Sequence, residues 1–467
     1  MVIPDGQHRL NLLNPRQSSP IMMRNITTYY WTGSILDDGT RVFRAEAVLY
    51  WHVAYFYFPC QTTVIEGWRW CRHGEHSSPF GNPGEPFAPT GYGQQMAIWL
   101  PRLSSLGHDI IVSSFSNLSG SPLTWENKYR VMPAGQDPLG VDVLVAHCQA
   151  LKADLAITLL DCWPMDGRQL NGLPLASWMP VDTQKLGDGD KKFIGESGAV
   201  PVAMSQHGER LLKRAGFDPL YVPHGIDTSV FKPAPDRDEI RDRAGLTGKF
   251  VIGINSANKD AIRKGFFPQF EAFARFRRNC PEAVLVVHTI AAGPNAPDLR
   301  RMAEETGIIG AIKFSDQFRY LMGMFSASDV ASWYNMLDVL SNTSMAEGFG
   351  LAPLEALACG VPTIVTDCSA MPELAIGPEW LVAGEDFWNP THNARWVTPY
   401  IGGIEDKYRM AYEISQDTER NAFVSKQARE KALQYDADVV LGQFWKPALN
   451  KLLGQMAERK PVTAPVS

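Results

Sequence analysis

Long apolar runs are missing from this chain. None reaches the roughly 18–20 residues that a membrane-spanning helix requires. The nearest, Ala47 to Pro59, is short and rich in β-branched and aromatic residues, which suits a buried strand. A leader pattern is missing too, since Met1-Val-Ile-Pro-Asp-Gly-Gln-His8 has no charged segment followed by an apolar one. There is no excess of basic charge. With 44 Lys and Arg against 50 Asp and Glu, the net charge is -6, so nothing favours binding to nucleic acid or anionic lipid. Peripheral membrane contact stays open. Cysteine is sparse and unpatterned: Cys60, Cys71, Cys148, Cys162, Cys280, Cys359 and Cys368 are odd in number and scattered. They read as reduced thiols of a cytoplasmic protein. The sequons at Asn25, Asn117 and Asn342 mean nothing without secretion. No internal repeat and no biased tract occurs. No Gly-x-Gly-x-x-Gly follows a first strand, which disfavours a dinucleotide-binding dehydrogenase.

What is present is a soluble, globular composition of 467 residues, 45% hydrophobic and 20% charged, long enough for two cores. From about residue 90 the pattern alternates helix and strand. Helices are expected at Gln94–Leu106, Val141–Ala153 and Gly208–Ala215, and strands at His108–Ser114, Leu155–Leu160, Ala176–Val181 and Ala199–Met204. The Pro/Gly-rich stretch Asp218–Pro235 reads as a linker. A second alternating series follows, with strands at Phe250–Asn255, Ala283–Thr289, Ile312–Phe314 and Val361–Thr366. Its helices are Phe267–Arg278, Pro297–Thr306, a helix end at Met336–Leu340, and Leu351–Cys359. Tyr408–Leu453 is largely helical. The expected fold is α/β, two Rossmann-like domains whose parallel sheets face a cleft. Their limits are residues 1–230 and 231–430, with 431–467 as a C-terminal helix packing back toward the first domain, and a tail. Residues 1–89 are legible only at the strand Ala47–Val53.

The stretch Glu347-Gly-Phe-Gly-Leu-Ala-Pro-Leu-Glu355 carries the most chemistry. Gly348 and Gly350 permit a tight turn close to a ligand. Pro353 suits a first helical turn, and Gly360 and Pro362 end that helix. The N–H groups of Phe349, Gly350 and Leu351 then form a phosphate cradle. Glu347 lies just outside the helix and Glu355 about one turn inside it. One carboxylate can reach a sugar hydroxyl and the other a ribose. The plain alternative is a helix start in which Glu347 favours the dipole and Glu355 is solvated.

Extended to Ser344–Asp367, this stretch resembles the signature of glycosyltransferase family 4. Four further segments agree in order: Thr90-Gly-Tyr-Gly93, Met204-Ser-Gln-His-Gly208, Tyr221–Phe231 and Tyr334–Leu340. The resemblance covers roughly residues 88–440. It implies a retaining, metal-independent GT-B enzyme of the hexosyltransferase class, without a cofactor. The nucleotide-sugar donor, UDP- or GDP-linked, is its co-substrate, and the acceptor hydroxyl is unidentified. Gly91 and Gly93 would approach the donor diphosphate as a loop. Glu347 would hold the sugar and Glu355 the ribose.

Lys259-Asp-Ala-Ile-Arg-Lys-Gly265 follows a strand and offers cations to a leaving diphosphate. The family places Arg five residues before a Lys-Gly pair. Here Lys264-Gly265 fits, Lys259 holds the earlier position, and Arg263 is a third candidate. A solvated basic loop is the plain alternative. On the acceptor side the family commonly has a His where this chain has Asp182, which either positions the acceptor hydroxyl or holds its own turn. Asp161 is a weaker candidate nearby. Cys71, His73 and His76 match no zinc spacing and lack a fourth ligand, and His224 reads as a turn residue. The rival readings are a nucleotide-sugar-binding subunit without turnover and a GT-B epimerase or phosphorylase.

Overall fold

The structure, a computed structural model, describes residues 29–35, 41–47, 68–69 and 91–458, apart from 115–119, 138, 261, 294–295 and 391. The chain divides into two compact units, 1–60 and 61–467. In the first, strands β1 (Tyr29–Ile35) and β2 (Arg41–Ala47) pair antiparallel. The expected strand at Ala47–Val53 lies outside the described residues beyond Ala47, as do Cys71, His73 and His76.

The second unit begins with β3 (Trp68–Arg69), α1 (Gly91–Ser104), β4 (Asp109–Ser113), β5 (Leu123–Trp125) and β6 (Tyr129–Met132). These strands run in the order β3-β4-β6-β5. Then come α2 (Val141–Leu151), β7 (Ala156–Leu159), β8 (Leu175–Met179), α3 (Asp188–Ser197), β9 (Val200–Ala203), α4 (Gln206–Arg214) and β10 (Leu220–Tyr221). They form a parallel sheet in the order β10-β9-β8-β7. Every residue of β7, β8 and β9 is buried, as expected of a parallel sheet covered on both faces. The expected linker thus begins with an edge strand, β10.

A second parallel sheet follows. Its elements are α5 (Arg237–Arg243), β11 (Phe250–Asn255), α6 (Phe266–Arg277), β12 (Ala283–His288), α7 (Leu299–Glu305), β13 (Ile312–Phe314), α8 (Gln317–Leu321) and α9 (Ala327–Asn335). Next are β14 (Val339–Asn342), α10 (Leu351–Ala358), β15 (Thr363–Thr366) and β16 (Leu381–Val382). The strand order is β13-β12-β11-β14-β15-β16. The chain winds outward one way from β11 and the other way from β14, so the loops after these two strands flank a topological switch point.

The expected helix end at Met336–Leu340 is corrected. Helix α9 stops at Asn335, and Val339–Asn342 is the fully buried central strand β14. A short apolar run has no period that separates helix from strand. Asp338 sets the strand's start: its carboxylate accepts from Val251 N–H at 2.7 Å and from Arg237 and Arg241 at 2.8 and 3.0 Å.

An antiparallel hairpin, β17 (Gly384–Asn389) and β18 (Ala394–Pro399), leads into α11 (Ile401–Ser415) and α12 (Thr418–Leu433). The chain ends in α13 (Ala437–Val440), a π-helical turn at Leu441–Trp445, and α14 (Lys446–Glu458). That turn brings Trp445 against Trp178 and Trp99, with ring centres 4.9 and 5.8 Å apart. Such aromatic pairs add about 0.5–1.5 kcal/mol beyond their burial. Arg429 of α12 donates to the carbonyls of Thr228, Phe231 and Ala358, tying the segment before α5 to the end of α10. No described helix is long and apolar enough to cross a membrane.

Candidate active site

The loop after β14 turns into α10 through two glycines. Gly350 is the N-cap, with φ 111, a conformation that side chains strain to adopt. Gly348 lies against Pro180, which follows β8; a Cβ at Gly348 would sit 2.4 Å from that of Pro180. The helix closes as its sequence implies, with Gly360 at φ 75 and Val361 N–H donating to Ala356 O at 2.9 Å. The first N–H groups of α10 have no carbonyl one turn back to bond. Gly91 sits close by: a Cβ there would lie 2.9 Å from Leu351 Cδ1. The expected loop at Gly91–Gly93 is corrected, because these residues form the first turn of α1.

Glu347 is only 9% exposed. Its carboxylate receives Lys264 Nζ on one oxygen and Arg263 Nη1, at 3.3 Å, on the other. The backbone fastens both loops, since Met345 N–H donates to Arg263 O at 2.7 Å and Glu347 N–H to Ser369 Oγ at 3.0 Å. Burial opposes ionisation of Glu347, but Lys264 and Arg263 outweigh it and hold the carboxyl down to about 2. Burial and the neighbouring Arg263 lower the Lys264 pKa against the pull of Glu347. Arg263 resists its own burial through Glu347, Asp182, Asp260 and Asp161, which raise its pKa. Together the three residues form a partly buried cluster with one net positive charge. The third candidate cation, Lys259, is exposed, and the described ion pairs of Glu347 are with Arg263 and Lys264.

Glu355 is 6% exposed, so the solvated alternative does not hold. Tyr334 of α9 donates to its Oε2 at 2.7 Å and itself accepts from Asn255 Nδ2 at 2.7 Å. With a neutral partner only, burial pushes Glu355 up to about 7.

Across from Gly348, Asp182 follows Pro180 and Val181 and is half-buried. Asp161, after β7, is near enough to Asp182 and Arg263 to feel both charges, and Tyr92 donates to its carboxylate. Burial and then Asp182 push Asp161 up to about 6, against Arg263. Asp190 rises to about 7, chiefly by burial; Asp161 and Asp182 add to this, while Cys162 Sγ, 3.4 Å away, opposes it.

Phe349 is buried between His224, at 5.0 Å, and Tyr435, at 5.8 Å. His224 packs on Trp178 at 4.7 Å, and burial lowers it to about 3. It packs there as a buried aromatic ring. The residues that the sequence did not flag as site members are Tyr334, Asn255, Tyr92 and Ser369. Each acts through a partner distant along the chain, so no local spacing betrays them.

Two parallel sheets, one with a switch-point crevice lined by charged loops, define the class: a GT-B fold. Solved structures share it. Sucrose-phosphate synthase from Thermosynechococcus elongatus aligns over 78% of this chain and 92% of its own, with TM-score 0.58 and 18% identity. WaaG, a glycosyltransferase involved in lipopolysaccharide biosynthesis, aligns over 81% and 98%, with TM-score 0.56 and 15% identity. Residues 236–386 match the family model Glycosyl transferases group 1. Among curated relatives, the lipopolysaccharide core biosynthesis mannosyltransferase LpsB of Rhizobium meliloti (strain 1021) is 27% identical over 226 residues, 46% of this chain. The D-inositol 3-phosphate glycosyltransferase of Arthrobacter sp. (strain FB24) is 30% identical over 184 residues, 39% of this chain. The chain spans 59% and 41% of the lengths of these two relatives.

Proposed function

We propose that the chain is a retaining glycosyltransferase of family 4, moving a hexosyl group from a UDP- or GDP-linked donor to an acceptor hydroxyl. The observation that carries this reading is the Arg263–Lys264–Glu347 cluster at the mouth of α10. A nucleotide diphosphate brings negative charge that grows as the glycosidic bond breaks. Arg263, Lys264 and the N–H groups of Phe349, Gly350 and Leu351, leading into α10, meet it without calling on a metal. Glu347, kept ionised, accepts hydrogen bonds from donor sugar hydroxyls, and buried Glu355 takes the ribose. Gly91 and Gly93 approach the diphosphate from α1. Residues up to 230 serve the acceptor and 231–430 the donor.

In the transfer, the acceptor oxygen forms a bond to the anomeric carbon as the bond from that carbon to the diphosphate oxygen breaks. The acceptor proton passes to the leaving phosphate, and Asp182 orients the hydroxyl. Products are the new glycoside and a nucleoside diphosphate. The test is nucleoside diphosphate release from a panel of UDP- and GDP-sugars. One donor should be consumed, and Lys264→Met should slow it about 100-fold or more. No consumption of any donor, with donor binding unchanged in Glu347→Ala, would refute the reading and leave a binding subunit.

A further inference from the structure

The hairpin β17–β18 joins the donor loops to the far side of the site. The family match ends at Asp386, inside β17, so most of the hairpin lies beyond it. Its second strand is seated on the donor motif. Val397 N–H donates to Met345 O at 3.0 Å, and Trp396 packs on Met345 and Ala346, just before Glu347. Trp396 is 1% exposed, and its indole N–H is buried without a partner among the described residues. His392, from the turn, lies over Trp396 with ring centres 5.0 Å apart. His392 also meets Trp163 at 5.7 Å with the rings at 72°.

Trp163 comes from the loop after β7, two residues beyond Asp161. It is 41% exposed, whereas Trp99, Trp178, Trp333, Trp380, Trp396 and Trp445 are buried and only Trp388, among the described tryptophans, is more open. Gly189 of α3 fits beneath it, since a Cβ there would come within 2.9 Å of Trp163 Cβ. The aromatic ledge Trp163–His392–Trp396 therefore runs from the acceptor-side carboxylates to the residue before Glu347. Near its Trp163 end lie Asp161, two residues back along the chain, and Asp190, next to Gly189, while Asp182 and Arg263 are both close enough to Asp161 to act on its charge.

An exposed indole beside hydrogen-bond acceptors suits a ring with one apolar face and hydroxyls at its edge. Carboxylates accept from hydroxyls but repel phosphates. We propose that Trp163 and His392, with Asp161 and Asp182, form the acceptor subsite for an uncharged pyranoside. This rests on the sugar-transfer reading and adds the acceptor's class to it. Phosphorylated sugars are refused there because a dianion would face Asp161 and Asp182.

The probes are methyl α-D-mannopyranoside and methyl α-D-glucopyranoside, each against its 6-phosphate. Saturation-transfer NMR on the full chain should detect a neutral glycoside and not its phosphate. Trp163→Ala should abolish the signal, Trp163→Phe should keep most of it, and Trp388→Ala, on the hairpin's other face, should leave it unchanged. In turnover, Trp163→Ala should raise the acceptor KM about 10-fold while the donor KM stays within about twofold. Equal or tighter binding of the phosphates overturns the proposal, as does an unchanged signal in Trp163→Ala. If no donor is consumed, the transfer reading fails, and the NMR arm alone still decides the subsite.

Discussion

Glu347 and Asp161 are both carboxylates within reach of Arg263, yet they end up on opposite sides of the ordinary range. Glu347 is held down to about 2 because it faces two cations. Asp161 is pushed up to about 6 because burial and Asp182 outweigh its share of one. The loops at α10 are thus arranged to stay charged and net positive. The loops after β7 and β8 hold Asp161 and Asp182 instead, with no cation among the described residues paired to Asp161 alone. An anionic diphosphate belongs to the first region and a neutral, hydroxyl-bearing partner to the second. Specificity in this account comes from that segregation of charge more than from any single contact.

The largest break of the contrast is Glu347→Gln. It leaves Lys264 without its carboxylate partner and Arg263 with only the charges of Asp182, Asp260 and Asp161. Turnover should fall about 100- to 1,000-fold, and stability should drop on the order of 3 kcal/mol, read by denaturant midpoint. A loss of stability with turnover unchanged would mean the cluster is purely structural.

The next test uses pH. Glu355 stands at about 7 in the folded chain against an ordinary 4.5. Between those values the native chain keeps a proton that the unfolded chain has released. Stability should therefore fall as pH rises from about 4.5 to about 7, by roughly 3 kcal/mol at most from this group, and level off above. Glu355→Gln should flatten that slope, measured as denaturant midpoints at pH 5 and pH 8. Glu347 acts in the opposite sense: its contribution is present above 4.5 and lost as pH falls toward about 2.

A smaller effect is expected from Gly348→Ala, which drives a methyl into Pro180 and separates the two regions. A loss of about 1–3 kcal/mol should accompany a weaker acceptor response. The smallest is Glu373→Gln. Its carboxylate accepts from Gln206 and His207 N–H at 2.9 and 2.6 Å, at the start of α4. Losing that charge at a helix start should cost about 1 kcal/mol, seen as a lowered melting temperature.

Much of the donor region was legible along the chain. Strand β11 falls where periodicity put it, Phe250–Asn255, and α10 begins where Gly350 and Pro353 implied. Both are written locally, in apolar runs and turn residues. Strand β14 was not legible, because its helix-or-strand choice is decided by β11 and β15 on either side. Tyr334 was visible only as part of a segment, and its bond to Glu355 is a tertiary fact. The hairpin β17–β18 escaped notice as well. Its register pairs Phe387 with Trp396 and Trp388 with Arg395, a pattern that means little until the donor motif beneath it is in place.

The segregation of charge is tested most directly by calorimetric titration of UDP and GDP into the wild-type chain, Lys264→Met and Asp182→Asn. One nucleotide should bind, Lys264→Met should weaken it about 10-fold or more, and Asp182→Asn should leave it within about twofold. Equal weakening by both substitutions, or none by Lys264→Met, would contradict that segregation.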